Sequence, residues 1–91
     1  MPTPLYPEIA DLVVWSDVIT RYDREHFITY ARILGAEQAQ ADWREAVRII
    51  LFRDPHANPE QAWLCWETHL ARAKWIATGG VAQAIARAGA H

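Results

Sequence analysis

Cys65 and His69 stand four residues apart, a spacing that puts two side chains on one face of a helix, and a thiol beside an imidazole can make a nucleophile or part of a metal site. Zinc needs three or four ligands, and a nucleophilic thiol needs a cleft and an oxyanion donor. The structural reading of the pair therefore outweighs the catalytic one, with His69 as a hydrogen-bonding residue between helices. His26, at a helix start, and His56, in a turn, read as solvent-facing. Gly79 and Gly80 follow a helix and read as its stop, and no glycine-rich phosphate loop appears. No catalysis, cofactor, metal or small-molecule substrate is expected.

Arg44 and Arg48 are a second pair at helical spacing, able to touch phosphate or a partner's carboxylates, against the plainer reading of a solvated face beside Glu45. The helix that positions them reads clearly. Asp42 is a natural N-cap with Glu45 three residues on, and Trp43, Ala46, Val47, Ile50 and Leu51 fall on one stripe. Residues 54–58 then break the helix in a turn longer than the three or four residues usual in a DNA-binding helix-turn-helix. A further helix opens at Asn58 as cap, with Pro59 in the first turn and Gln61 completing the box, and can run to residue 78. Ala62, Trp63, Trp66, Leu70, Ala73 and Ala77 form its core side. The opposite side, where a reading helix would meet DNA, carries Gln61, Leu64, Thr68, Ala71, Arg72 and Trp75, with Glu60 and Glu67 at its edge; Trp75 there is either covered by the N-terminal segment or the fourth helix, the favoured reading, or part of a contact surface.

Upstream, Asp23 reads as the cap of a helix over residues 24–34 that buries Phe27, Tyr30, Ala31 and Leu34 and stops at Gly35. Residues 9–19 are apolar and rich in β-branched types, so helical and extended readings compete; they are read as packed against the helices. Residues 1–8, with three prolines, read as an extended or disordered lead-in, and residues 81–88 as a short fourth helix. The expected fold is all-α: a small helical bundle containing an extended-turn helix-turn-helix. An N-terminal segment (1–21) precedes a helical domain (22–91). Its core residues are Phe27, Tyr30, Leu34, Trp43, Val47, Ile50, Leu51, Trp63, Trp66 and Leu70, and Trp15 is read as packing with them.

Composition bounds the function. The chain of 91 residues supports one core but no deep enclosed substrate cavity. One cysteine excludes an internal disulfide and fits a reducing compartment. The start of the sequence lacks the pattern of a signal peptide and no stretch suits a membrane span, so a cytoplasmic location is expected. Net charge is −2, with the acids concentrated in residues 1–25, and the cations are one lysine and eight scattered arginines. Small DNA-binding domains draw much of their affinity from clustered Lys and Arg on phosphates. That cluster is missing.

Three runs carry a resemblance: Tyr22, Asp23, Arg24, Glu25 and His26 leading to Tyr30; Asp42, Trp43, Arg44 and Glu45 before Ile49, Ile50 and Leu51; and residues 66–75, from Trp66 to Trp75, before Gly79. With these the chain resembles the domain-of-unknown-function 2285 family of proteobacterial regulators and mobile-element proteins. The resemblance covers most of the chain and is specific mainly in the last run. It implies a helix-turn-helix with an extended turn. Some members are DNA-binding parts of activators of conjugative transfer; others are stand-alone, QseM-like antiactivators that occupy the activator's other domain. Lacking a basic outer face and an attached second domain, this chain is similar to the latter. The implied function is an antiactivator whose partner is a transcriptional activator, bound through its N-terminal domain by Ile28, Arg32 and Trp75, with DNA binding not expected. Glu60, Gln61, Leu64, Glu67 and Thr68 would then form a degenerate DNA-facing surface. The alternative is a DNA-binding regulator subunit that places Arg44, Arg48 and Arg72 on phosphates.

Overall fold

A computed structural model describes residues 8–80. Among these the regular elements are all helical: α1 (Arg21–Glu25), α2 (Phe27–Gln38), α3 (Trp43–Leu51) and α4 (Pro59–Trp75), the last running into a π-helical turn, Ile76–Gly80. α2, α3 and α4 pack pairwise around one core of Tyr30, Ile33, Ala46, Val47, Ile50, Leu51, Ala62, Cys65, Trp66 and Ala73. Each large aliphatic side chain fully withdrawn from water there contributes roughly 2 kcal/mol.

α3 and α4 begin where local chemistry dictates. The Asp42 carboxylate accepts the Arg44 amide, and the Asn58 side chain accepts the Gln61 amide while its own amide donates to the Gln61 side chain. Phe52 ends α3 in the left-handed conformation. In the connection, the Asp54 carboxylate accepts the His56 and Ala57 amides, which fixes the long turn; His56 is exposed, as its position in a turn implies. α4 itself ends at Trp75, short of the expected residue 78, and the π-helical turn carries the chain on to the glycines, where Gly79 takes φ 144°, a conformation closed to most side chains. The expected helix at 81–88 lies outside the described residues, as does most of the lead-in.

The N-terminal half differs from expectation. The expected helix at 24–34 is two helices, α1 and α2, broken at His26. Asp23 is not the cap but the third helical residue; Thr20 caps α1, its hydroxyl accepting the Asp23 amide while the Asp23 carboxylate accepts the Thr20 amide. Gly35 does not stop α2, which runs on to Gln38, and Gln40 at φ 59° makes the left-handed exit. The buried stripe is Asp23, His26, Tyr30 and Ile33, with Leu34 at its margin. Phe27 is therefore not a core residue: at 44% exposure it sits one position off that stripe, displaced by His26. His26 in turn is buried rather than solvent-facing.

α4 is turned in the same way. Its buried stripe is Ala62, Cys65, Trp66, His69, Arg72 and Ala73, so Trp63, 45% exposed, lies at the edge, where its ring meets Trp43 edge-on at 4.9 Å. Trp43 and Leu70 are half-buried against the core. Residues 9–19 settle into neither helix nor strand but run irregularly over the bundle. Trp15, on this segment, is more exposed than buried.

Candidate interaction surface

Asp23 and Arg72 are both shielded from solvent and bond to one another through three pairs of atoms, Nε to Oδ1 at 3.1 Å, Nε to Oδ2 at 3.2 Å and Nη2 to Oδ2 at 2.7 Å. The Tyr30 hydroxyl donates to the same carboxylate at 2.9 Å. Arg72 also donates to the Val18 carbonyl at 2.6 Å and to the Ser16 carbonyl, and its guanidinium lies over the rings of Trp75, at 4.2 Å, and Trp15, at 5.1 Å. Burial works against charge on Asp23, but hydrogen bonds from Arg72, the Thr20 amide and Tyr30 outweigh it and hold the carboxyl below the usual carboxylate range. Arg72 is thus the centre of an internal network rather than a phosphate contact on an outer face.

A second network runs through His69. Its Nδ1–H donates to the Cys65 carbonyl at 2.7 Å, leaving Nε2 to accept the Tyr22 hydroxyl at 2.6 Å, and the Tyr22 oxygen accepts the Ala10 amide at 3.1 Å. Burial pushes the His69 pKa down to about 4, even though the bond to the Cys65 carbonyl opposes the shift, and raises the Cys65 thiol to about 11. The two side chains do meet, with Sγ 3.7 Å from Nδ1. A protonated thiol beside a neutral imidazole is the reverse of the thiolate–imidazolium pair that nucleophilic catalysis uses. Among the described residues no group of three metal-ligating side chains assembles.

Both networks serve to hold residues 8–20 along α4. Cys65 donates to the Ala10 carbonyl, Thr68 accepts the Val13 amide at 3.1 Å, and Arg72 takes the carbonyls of Ser16 and Val18, so the segment advances beside the helix turn by turn. Arg53, just past α3, adds bonds to the Ile9 carbonyl at 2.7 Å and to Asp11 at 3.1 Å. Of the surface expected to face DNA, Thr68 is therefore engaged by the chain itself, Gln61 is tied into the helix cap, and Glu60, Leu64 and Glu67 remain exposed.

The expected partner residues divide. Ile28, 79% exposed, and Arg32 lie one turn apart on α2 and face outward. Arg32 also lines a hollow of about 350 Å³ between α2 and α3, with Ala36, Ala41, Ala46, Ile49 and Ile50. Trp75 is not among them; it is half-buried between Arg72 and Trp15, whose rings meet edge-on at 5.5 Å. Ile49 and Phe52 complete the exposed apolar side chains of α3 and its exit. Sequence reasoning passed over Ile49, although an isoleucine off the buried stripe of a well-patterned helix is itself a signal. Arg44 and Arg48 are exposed, Arg44 lying over the Trp43 ring.

No helix among the described residues is long and apolar enough to cross a membrane. Comparison of the chain with family models, with curated proteins and with solved structures finds no match.

Proposed function

We propose that this protein is an antiactivator, a non-enzymatic domain that binds the N-terminal domain of a transcriptional activator of conjugative transfer and so blocks activation. The observation that carries the reading is the course of residues 8–20 beside α4: the helix-turn-helix frame is complete, yet its would-be reading helix is flanked by another part of the same chain at Thr68 and Arg72. What stays exposed there includes Glu60 and Glu67, which repel phosphate. Ile28, and Arg32 at the hollow between α2 and α3, supply an apolar and cationic surface for a protein partner. The family resemblance supplies the biological setting.

A DNA-binding subunit is the second reading, favoured by the exposure of Arg44 and Arg48 one turn apart on α3. Two measurements on the same preparation separate them: capture by the activator's N-terminal domain, and gel mobility shift on promoter DNA at low salt. Capture without a shift supports the antiactivator. A salt-sensitive shift by the isolated protein, without capture, replaces it with the second reading.

A further inference from the structure

The N-terminal segment is fastened to the bundle by its backbone: amides or carbonyls of Ile9, Ala10, Val13, Ser16 and Val18 are taken by side chains of Arg53, Tyr22, Cys65, Thr68 and Arg72. Its large side chains are left outside. Val14 is 77% exposed, and Leu12, Trp15 and Val18 are exposed with it. Burial of apolar surface alone would turn these side chains inward, so the polar anchors are what hold them outward. Leu64 is exposed on the turn of α4 before Thr68, the residue that holds Val13. Between the segment and α1 lies a hollow of about 300 Å³, lined by Leu12, Val13, Val14, Thr20 and Tyr22. A fixed apolar surface with a side-chain-sized hollow is the form of a docking site rather than of a loose tail.

The charge at the rim of this surface says what it can take. Glu60 and Glu67 share the α4 face of Leu64, are exposed and belong to no ion pair among the described residues. Arg53 and Arg72, the cations that touch the segment, are matched by Asp11 and Asp23. Such a rim repels anionic lipid and nucleic acid and attracts a cationic protein surface. Strand addition is closed as well, because the segment forms no strand and its backbone groups are engaged at Ala10, Val13, Ser16 and Val18. We propose that the outward face of the N-terminal segment, with Leu64, is a docking site for a basic amphipathic helix of a partner protein: apolar side chains of that helix lie on Leu12, Val14 and Val18 and enter the hollow beside Tyr22, and its lysines or arginines meet Glu60 and Glu67. These residues are distinct from Ile28 and Arg32 on α2, so the site stands whichever protein binds there.

The test is calorimetric titration of the full chain with a synthetic helical peptide of about 18 residues, leucine on one face and lysine on the other, and with the same peptide carrying glutamate in place of lysine. The lysine peptide is expected to bind with a Kd of about 50 μM or tighter, and the glutamate peptide at least about tenfold more weakly. Val14→Ser with Val18→Ser should weaken the lysine peptide at least about tenfold, and Glu60→Gln with Glu67→Gln should weaken it and flatten its salt dependence. Ile28→Glu should leave its affinity unchanged. Exchange protection of the Val13 amide, read by nuclear magnetic resonance, shows that the segment stays attached in each variant. Failure of the unaltered chain to bind the lysine peptide overturns the proposal, as does equal binding of the glutamate peptide or undiminished binding by Val14→Ser with Val18→Ser. Binding of anionic phosphatidylserine vesicles or of duplex DNA through Val14 and Val18 would replace the protein partner with that surface.

Discussion

The carboxylate of Asp23 and the guanidinium of Arg72, 49 residues apart in sequence, meet as a fully buried ion pair that joins α1, α4 and the N-terminal segment at one point. Removing one partner leaves the other charged and without compensation, so Asp23→Asn is expected to cost about 3–5 kcal/mol in urea unfolding. Tyr30→Phe, which removes a single donor to the same carboxylate, is expected to cost about 1 kcal/mol. A loss of less than about 1 kcal/mol for Asp23→Asn, the scale of an exposed pair, would mean that the ion pair does not form in solution.

Acid should weaken the fold in two stages. The folded-state pKa of His69 lies below its ordinary value, at about 4, so its neutral form contributes stability that is complete above about pH 6.5 and is lost as pH falls towards 4. The contribution is on the order of 3 kcal/mol. Asp23 is also depressed, so its contribution persists below the ordinary carboxylate range and disappears only as pH falls through its lowered value. Urea midpoints measured at steps of pH should therefore decline first across the His69 window and again in stronger acid. In His69→Gln the first decline should vanish; its survival would assign that decline to another group.

Gly35 lies inside α2, and a methyl group added there would meet open space. Alanine removes backbone freedom from the unfolded chain and exacts no steric cost in the helix. Gly35→Ala is expected to add about 1 kcal/mol, a rise in Tm of about 5 °C for a domain of this size, read by thermal unfolding. An unchanged or lower Tm would show that α2 stops at Gly35, the boundary that the sequence alone suggests.

That boundary illustrates how legibility divides along the chain. α3 was readable because everything that defines it is local: the Asp42 cap and an apolar stripe of Ala46, Val47, Ile50 and Leu51. The start of α4 was readable for the same reason, through Asn58, Pro59 and Gln61. Asp23, His26 and Arg72 misled because their types suggest exposure, and the groups that make their burial tolerable lie far away in sequence. Arg72 is the partner of Asp23, and the carbonyls of Glu8, Ser16 and Val18 serve His26 and Arg72. Displacing Phe27 and Trp63 from the core follows from admitting those polar residues to it. The exposed Ile28 and Arg32 were placed on a free surface of α2, whereas Trp75 was separated from them by a cation and a ring that no periodicity in α4 reveals.

The separation of Trp75 from Ile28 and Arg32 gives the partner surface a discriminating test. Ile28 and Arg32 face outward from α2, so charge-altering substitutions there, Ile28→Glu with Arg32→Glu, should change stability by no more than about 0.5 kcal/mol each. If the activator's N-terminal domain docks on this face, the double variant should weaken binding at least about tenfold by calorimetry while keeping its unfolding transition. Trp75→Ala should behave in the opposite way, because its ring lies over Arg72 and against Trp15: stability falls first, and binding only in proportion to the unfolded fraction. Undiminished affinity in the double variant would move the docking surface off α2, whereas a specific loss at Trp75 in a fully folded variant would move it to the Trp15–Trp75 edge.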